Sequence, residues 1–376
     1  MRLTYTSRSG TSWDVTQILQ SATWSGDCQQ AARKLEVSLA WSDTDPSYPR
    51  SVIGNIDNGE QFTLWGNDGQ ELFWGFIFTV TKTAGAVVRR FVAYDGMIYL
   101  LKSSISQNFS KTTAQGVTRQ VCAELGIPVG TLPSDGGVSL SFAHIAKAAY
   151  DAIMGAWTHV SKATGKKYQP VMTGGRLSMA VVGETVADRT LSPSTDMVGA
   201  EVTSSIEDAV TRVLVVDAKG KTLSKAEGAE TIMLYGVLQA SVQKEDGLDA
   251  MAQAKNLLVG ADNQITLLDV LGGPDAYDLV TGNAVLVEEP QTGLHGKFFI
   301  INDTHTFSEG QHHVALGLAY EAMMDEVEVE LIKAAKKKSG TSKVSDSKNT
   351  SNSWAAWERY GDVRYNTKSD LTESVN

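Results

Sequence analysis

The residues of this chain that invite a chemical reading are its histidines, one pair of adjacent glutamates and its eight tryptophans. His295, His305, His312 and His313 lie close together in sequence, near Asp303 and Glu309, and these are residue types that a zinc site would use. Such a site needs them to converge. On consecutive strands one of each neighbouring pair turns outward, so solvated or cross-strand histidines are expected instead of a metal centre. Glu288-Glu289 is the nearest carboxylate pair, and glycoside hydrolysis uses two acids about 5–9 Å apart. Adjacent strand residues face opposite ways, so these two share a cleft only if a bulge precedes Pro290. Gly165-Lys166-Lys167 lacks the upstream glycine of a phosphate cradle, and the P-loop, G-x-S-x-G, H-E-x-x-H and EF-hand patterns are absent. No catalytic constellation, metal or cofactor is expected. The tryptophans could stack on sugars. However, Trp41, Trp65 and Trp74 stand in alternating strand patterns and Trp157 on the apolar side of a helix, so burial accounts for them. The acids Glu321, Asp325, Glu326, Glu328 and Glu330 read as a solvated face or a strand-to-tail junction, followed directly by Lys333, Lys336, Lys337 and Lys338.

Positioning these residues falls to a chain of 376 residues, long enough for two or three domains, with 42% apolar and 20% charged content. Its 34 glycines and aromatic residues beside only 8 prolines lean towards strands joined by glycine turns. A net charge of −10 argues against holding nucleic acid by wholesale phosphate neutralisation. Cys28 and Cys122 form no C-x-x-C pair, which fits a reducing compartment. No stretch approaches 18 continuous apolar residues, so stable membrane insertion is not expected, and the polar start points to cytoplasmic synthesis.

The elements fall into an α+β, β-rich order. Residues 1–104 alternate with period two, as in Lys34 to Trp41 and Phe62 to Trp65, while Leu72 to Val80 is apolar on both faces. Residues 105–195 form a small α/β region. A helix begins at a Thr112/Gln115 capping box, carries Ala114, Val117, Val121 and Leu125, and closes at Gly126 and Pro128. A second helix runs from about 146 to 164 with Tyr150, Ile153, Met154, Trp157 and Val160 on one side, and a hairpin turns at Gly174-Gly175. Residues 196–330 return to strands, among them 211–217, 231–242, 264–271, 284–288, 297–307 and 311–322, with one isolated helix at about 248–259. Ile206, Val210, Leu257 and Leu258 are expected to be buried there. Residues 331–376 carry nine Lys/Arg against five Asp/Glu, leaving −14 on residues 1–330. The polar run 339–353 cannot fold alone, and the aromatics after it, Trp354, Trp357 and Tyr360, read as a docking peptide on an extended arm.

Several segments together resemble the XkdQ/YqbQ-type baseplate hub proteins of contractile phage tails and phage-tail-like bacteriocins. They are Phe73-Trp74-Gly75-Phe76-Ile77, Ala93 to Leu101, Leu125 to Gly130, Thr164 to Tyr168, Ser205 to Val213 and Ile265 to Gly272. Their order over residues 1–325 is what carries the resemblance. It implies two tube-like β-barrel domains, 1–104 and 196–330, around the intervening region. It also implies a homotrimer that adapts a hexameric tail tube protein to a central spike protein and lines the channel, with tape-measure and baseplate wedge proteins as further partners. Localisation would be the host cytoplasm during assembly and then the virion or tailocin baseplate. The competing reading is a tail-associated peptidoglycan hydrolase or cell-wall-binding module.

Overall fold

The computed structural model describes residues 1–332 apart from 43, 245–248, 272, 274 and 275. The expected arm at 339–353 and its aromatics Trp354, Trp357 and Tyr360 lie outside the described residues, as do Lys333 to Lys338 and the expected helix start at 248.

The chain is mostly β. Its first segment holds β1 (Arg2–Thr6), β2 (Ser12–Asp14), β3 (Leu19–Asp27), β4 (Lys34–Ala40), α1 (Arg50–Ile53), β5 (Gln61–Trp65), β6 (Glu71–Thr81) and β7 (Val88–Asp95). The period-two pattern does what it should: Leu35, Val37 and Leu39 of β4 point into a core with Leu3, Tyr5, Phe62, Phe73 and Phe91. A short α2 (Met97–Lys102) then leads to β8 (Ser104–Thr112), α3 (Ala114–Glu124), β9 (Leu140–Ala148), α4 (Ala149–Thr164) and the hairpin β10 (Tyr168–Thr173) and β11 (Arg176–Val181). Both helices occur, with changed starts. Thr113, not Thr112, caps α3, its hydroxyl accepting the Gly116 N–H, while the Gln115 side chain donates instead to the Pro133 carbonyl. Residues 146–148 close β9, so α4 starts three residues later than the helical spacing implies. Gly165 ends α4 in the left-handed region, and Gly174 and Gly175 both take positive φ in the hairpin turn. Buried Trp157 donates its indole N–H to Thr118 across the α3–α4 contact, 3.0 Å away.

The rest comprises β12 (Val186–Leu191), β13 (Met197–Ser205), β14 (Arg212–Val216), β15 (Thr222–Glu227), α5 (Ala229–Tyr235), β16 (Gln239–Gln243), α6 (Ala250–Asn256), β17 (Asp262–Leu271), β18 (Ala284–Glu289), β19 (Leu294–Ser308) and β20 (Gln311–Ala319). The strand expected at 231–242 is half helix: Thr231 to Tyr235 is apolar on every side and Gly236 breaks it, leaving only 239–243 extended. Residues 206–260 make a small module, β14 to β16 with α5 and α6, held between paired ends of β13 and β17. Its core is Val213, Val215, Ala226, Ala250 and Ala254. The burial expected of Ile206 and Leu257 is therefore corrected. Both are exposed and Val210 and Leu258 only half-buried, because α6 ends at Asn256 and turns its alanines inward.

The two β-rich segments share one sheet. Its order is β13-β17-β20-β19-β3-β4-β7-β6-β5-β1-β2, with β18 joining β19 to a parallel β12, and no pairing among the described residues closes it into a barrel. The fifteen residues of β19 make this possible. The first part pairs with β18, and the rest is held between β20 and β3, Asn302 facing Asp27 and Ser308 facing Ser21.

Candidate functional site

At the β3–β19 seam the sequence places a buried charge pair. Asp303, with no exposed surface, accepts two guanidinium bonds from Arg33 in the turn before β4, and both the backbone N–H (2.7 Å) and hydroxyl (2.6 Å) of Thr281 donate to the same carboxylate. Burial alone would raise its pKa. The Arg33 charge and these donors outweigh that and hold it below the usual carboxylate range. Arg33 also lies over the Trp24 ring, 4.2 Å from its centroid. Gly26 is required beside them, since a Cβ there would come within 2.2 Å of the Arg33 guanidinium.

Two of the four clustered histidines meet at this seam. His312 stands opposite Phe307, which places it diagonally from His305 on the same face of the β19–β20 pair, and the ring nitrogens approach to 3.0 Å. The outward turn expected of one member in each pair applies to His313, which faces Asp269 at 2.8 Å. His305 is also bonded to the Leu279 carbonyl at 3.0 Å. Burial depresses both rings, His305 to about 4 against the pull of Asp303, and His312 to about 3 with His305 adding to the effect. Both are therefore neutral near pH 7. Among the described residues no group of three His, Cys, Asp or Glu is arranged to hold a metal ion.

The other nominated residues go to structural work. Glu288 is exposed and Glu289 buried on opposite faces of β18, where Glu289 accepts the N–H of Gln291 and Thr292 in the following turn. Trp157 is core, but Trp41, Trp65 and Trp74 are only half-buried. Trp74, Phe76 and Phe78 line one face of β6, with Phe76 and Phe78 touching Tyr99 of α2 at ring distances of 5.2 and 5.8 Å. This aromatic ridge, on which Phe78 and Tyr99 are each 40% exposed, was hidden in sequence because β6 is apolar on both faces.

The acidic run is a strap across the α3–α4 region. Asp325 accepts the Tyr150 hydroxyl (2.9 Å), Glu326 pairs with Lys167 and Glu328 with Lys162. The Val327 N–H donates to Thr158 at 3.1 Å, and the Ile332 N–H to the Ser141 carbonyl at 2.7 Å. Gly155 leaves the space that Val329 fills.

A model of the family described as YQBQ-like matches residues 22–319. The phage-like element PBSX protein XkdQ of Bacillus subtilis strain 168 is 23% identical over 320 residues, covering 82% of this chain and 94% of its own. Among solved structures, the 43 kDa tail protein of prophage MuSo2 from Shewanella oneidensis superposes with a TM-score of 0.64 at 13% identity, covering 88% of this chain and 100% of its own. A tail protein from Neisseria meningitidis MC58 gives 0.61 at 14% identity, covering 87% and 99%. At these identities the solved structures establish a shared fold.

Proposed function

The chain belongs to the YQBQ-like family, and from that premise we propose that it is a structural hub of a phage-type tail or related injection particle. The observation that carries this reading is the β3–β19 seam. Two β-rich segments joined by one continuous sheet and locked by Arg33–Asp303 suit a rigid load-bearing part. Fold likeness to prophage tail proteins over nearly their whole length supports it.

In its finer form, residues 1–104 and 196–330 act as two tube-like units around the 105–195 region, and 331–376 is an extended arm. Three chains then present six such units, matching a hexameric tail tube on one side and a threefold spike on the other. Residues 339–353 give the arm reach, and Trp354, Trp357 and Tyr360 anchor it on a neighbouring protein of the particle. The protein resides in the assembled tail. Three-dimensional reconstruction of the particle tests this: three copies around the axis next to the tube are expected, and six copies, one copy, or a position away from the axis would overturn it. Particles built with Trp354 and Trp357 changed to Ser should assemble poorly. Normal assembly would remove the docking role of the arm.

A further inference from the structure

A cavity of about 330 Å³ opens beside the seam, between the start of β6, the β10 strand and the 280–283 loop. Two of its wall residues carry buried N–H groups that have no partner among the described residues, Trp24 at the indole nitrogen and Arg33 at Nε. Trp24 is 96% buried, so that donor is not met by bulk water. The β10–β11 hairpin supplies a second, independent observation. Its two-residue turn pairs Thr173 with Arg176 by hydrogen bonds, so Pro170 and Met172 direct their main-chain groups away from β11. Of the corresponding outward groups of β11, the Leu177 N–H and carbonyl and the Met179 N–H are bonded, to Pro128, Gly130 and Thr131. On β10 the carbonyls of Pro170 and Met172 and the Met172 N–H have no such partner among the described residues, and Gln169 to Thr173 all line the cavity.

We propose that this slot binds an extended basic peptide from a partner protein, which adds as a short strand to the free edge of β10 and offers carbonyls to Trp24 and Arg33. A free strand edge selects main-chain pairing over a rigid small molecule. Charge selects the sign of the occupant: Asp27, Glu71 and Asp95 line the slot, and the guanidinium of Arg33 is already engaged by Asp303. Burial raises the Asp95 carboxyl to about 7, a cost that a cationic side chain seated beside it would relieve. The proposal does not depend on the tail role.

The test uses the full chain labelled with 5-fluorotryptophan, the Trp24 fluorine signal being assigned from its loss in Trp24→Phe. The probes are Ac-Lys-Val-Lys-Val-Lys-NH2, its Glu-for-Lys counterpart, and the basic peptide N-methylated at its backbone. The basic peptide should move the Trp24 signal saturably, with a Kd on the order of millimolar or tighter for so short a strand. The acidic peptide should bind about tenfold more weakly or worse. Methylation should abolish the shift, and Glu71→Gln should weaken it while leaving the other fluorine signals in place. No saturable shift at millimolar peptide would overturn the proposal, as would equal binding of the acidic peptide or indifference to N-methylation. A water-filled cavity alone gives the first of these outcomes.

Discussion

Asp303 and Arg33 are 270 positions apart, yet each is tolerable in the interior only because of the other. Arg33→Met removes the guanidinium and leaves a fully buried carboxylate with Thr281 as its remaining close donor. A loss of about 3–5 kcal/mol in denaturant unfolding is expected, and adding Asp303→Asn should recover part of it. The neighbouring histidines set a pH dependence. His305 and His312 have folded pKa values of about 4 and 3, below the ordinary 6.5, so the unfolded chain binds their protons first and stability falls as pH drops from about 6.5. Asp95 acts in the opposite direction, since a carboxyl raised to about 7 favours the folded chain as pH falls from 7 towards 4. Two groups oppose one. The net expectation is a melting temperature that declines between pH 6.5 and 4, and a shallower decline in His312→Phe, whose ring would still stack on Phe307. An equally steep decline in that variant would show that His312 does not titrate on unfolding. Sequence alone disclosed which way Glu288 and Glu289 face, because that needs only the period of a strand. It could not pair His305 with His312, because that needs the register of β19 against β20.

Among the elements, those with a single apolar face and a glycine stop were legible. The α4 helix has both, in its Tyr150 to Val160 face and Gly165. The α5 helix has neither a single apolar face nor buried residues, so Thr231 to Tyr235 carries no period that separates helix from strand. β8 and β9 carry no clear period for a related reason: irregular pairing at 105–107 and 109–112 and the positive φ of Lys111 and Ala146 interrupt their alternation. The strap 320–332 depends on a feature that its own sequence does not contain, the missing side chain of Gly155. A Cβ at that position would meet Val329 at 2.3 Å, and Val329 is β-branched and stiff. Gly155→Ala should therefore keep α4, for which alanine is the better former by roughly 1 kcal/mol, while lifting the strap. Hydrogen exchange of the Val327 and Ile332 amides should speed up about tenfold, equivalent to roughly 1.4 kcal/mol of lost local protection. Unchanged exchange there would mean that the strap is held by its ion pairs to Lys162 and Lys167 alone.

At the scale of the molecule, alternation in the sequence separates two β-rich segments, and strands of both are joined in one sheet. What alternation cannot register is that β19 is long enough to serve three partners, so that a strand near residue 300 completes a sheet begun before residue 30. Cores confirm the coupling: Tyr277 and Phe307 of the later segment pack into the core of the first. Segments connected in this way should not unfold independently. Calorimetry of the full chain is expected to give one cooperative transition covering both segments, with Arg33→Met lowering it as a whole and not splitting it. Two resolved transitions in the unaltered chain, or loss of the first segment alone in the variant, would mean that the seam is a contact between self-sufficient domains. Under the proposed structural role, a single transition has a mechanical corollary. Force applied to either segment would be carried along the β3–β19 hydrogen bonds in the plane of one sheet, so the segments would move together when the particle acts instead of hinging at their junction.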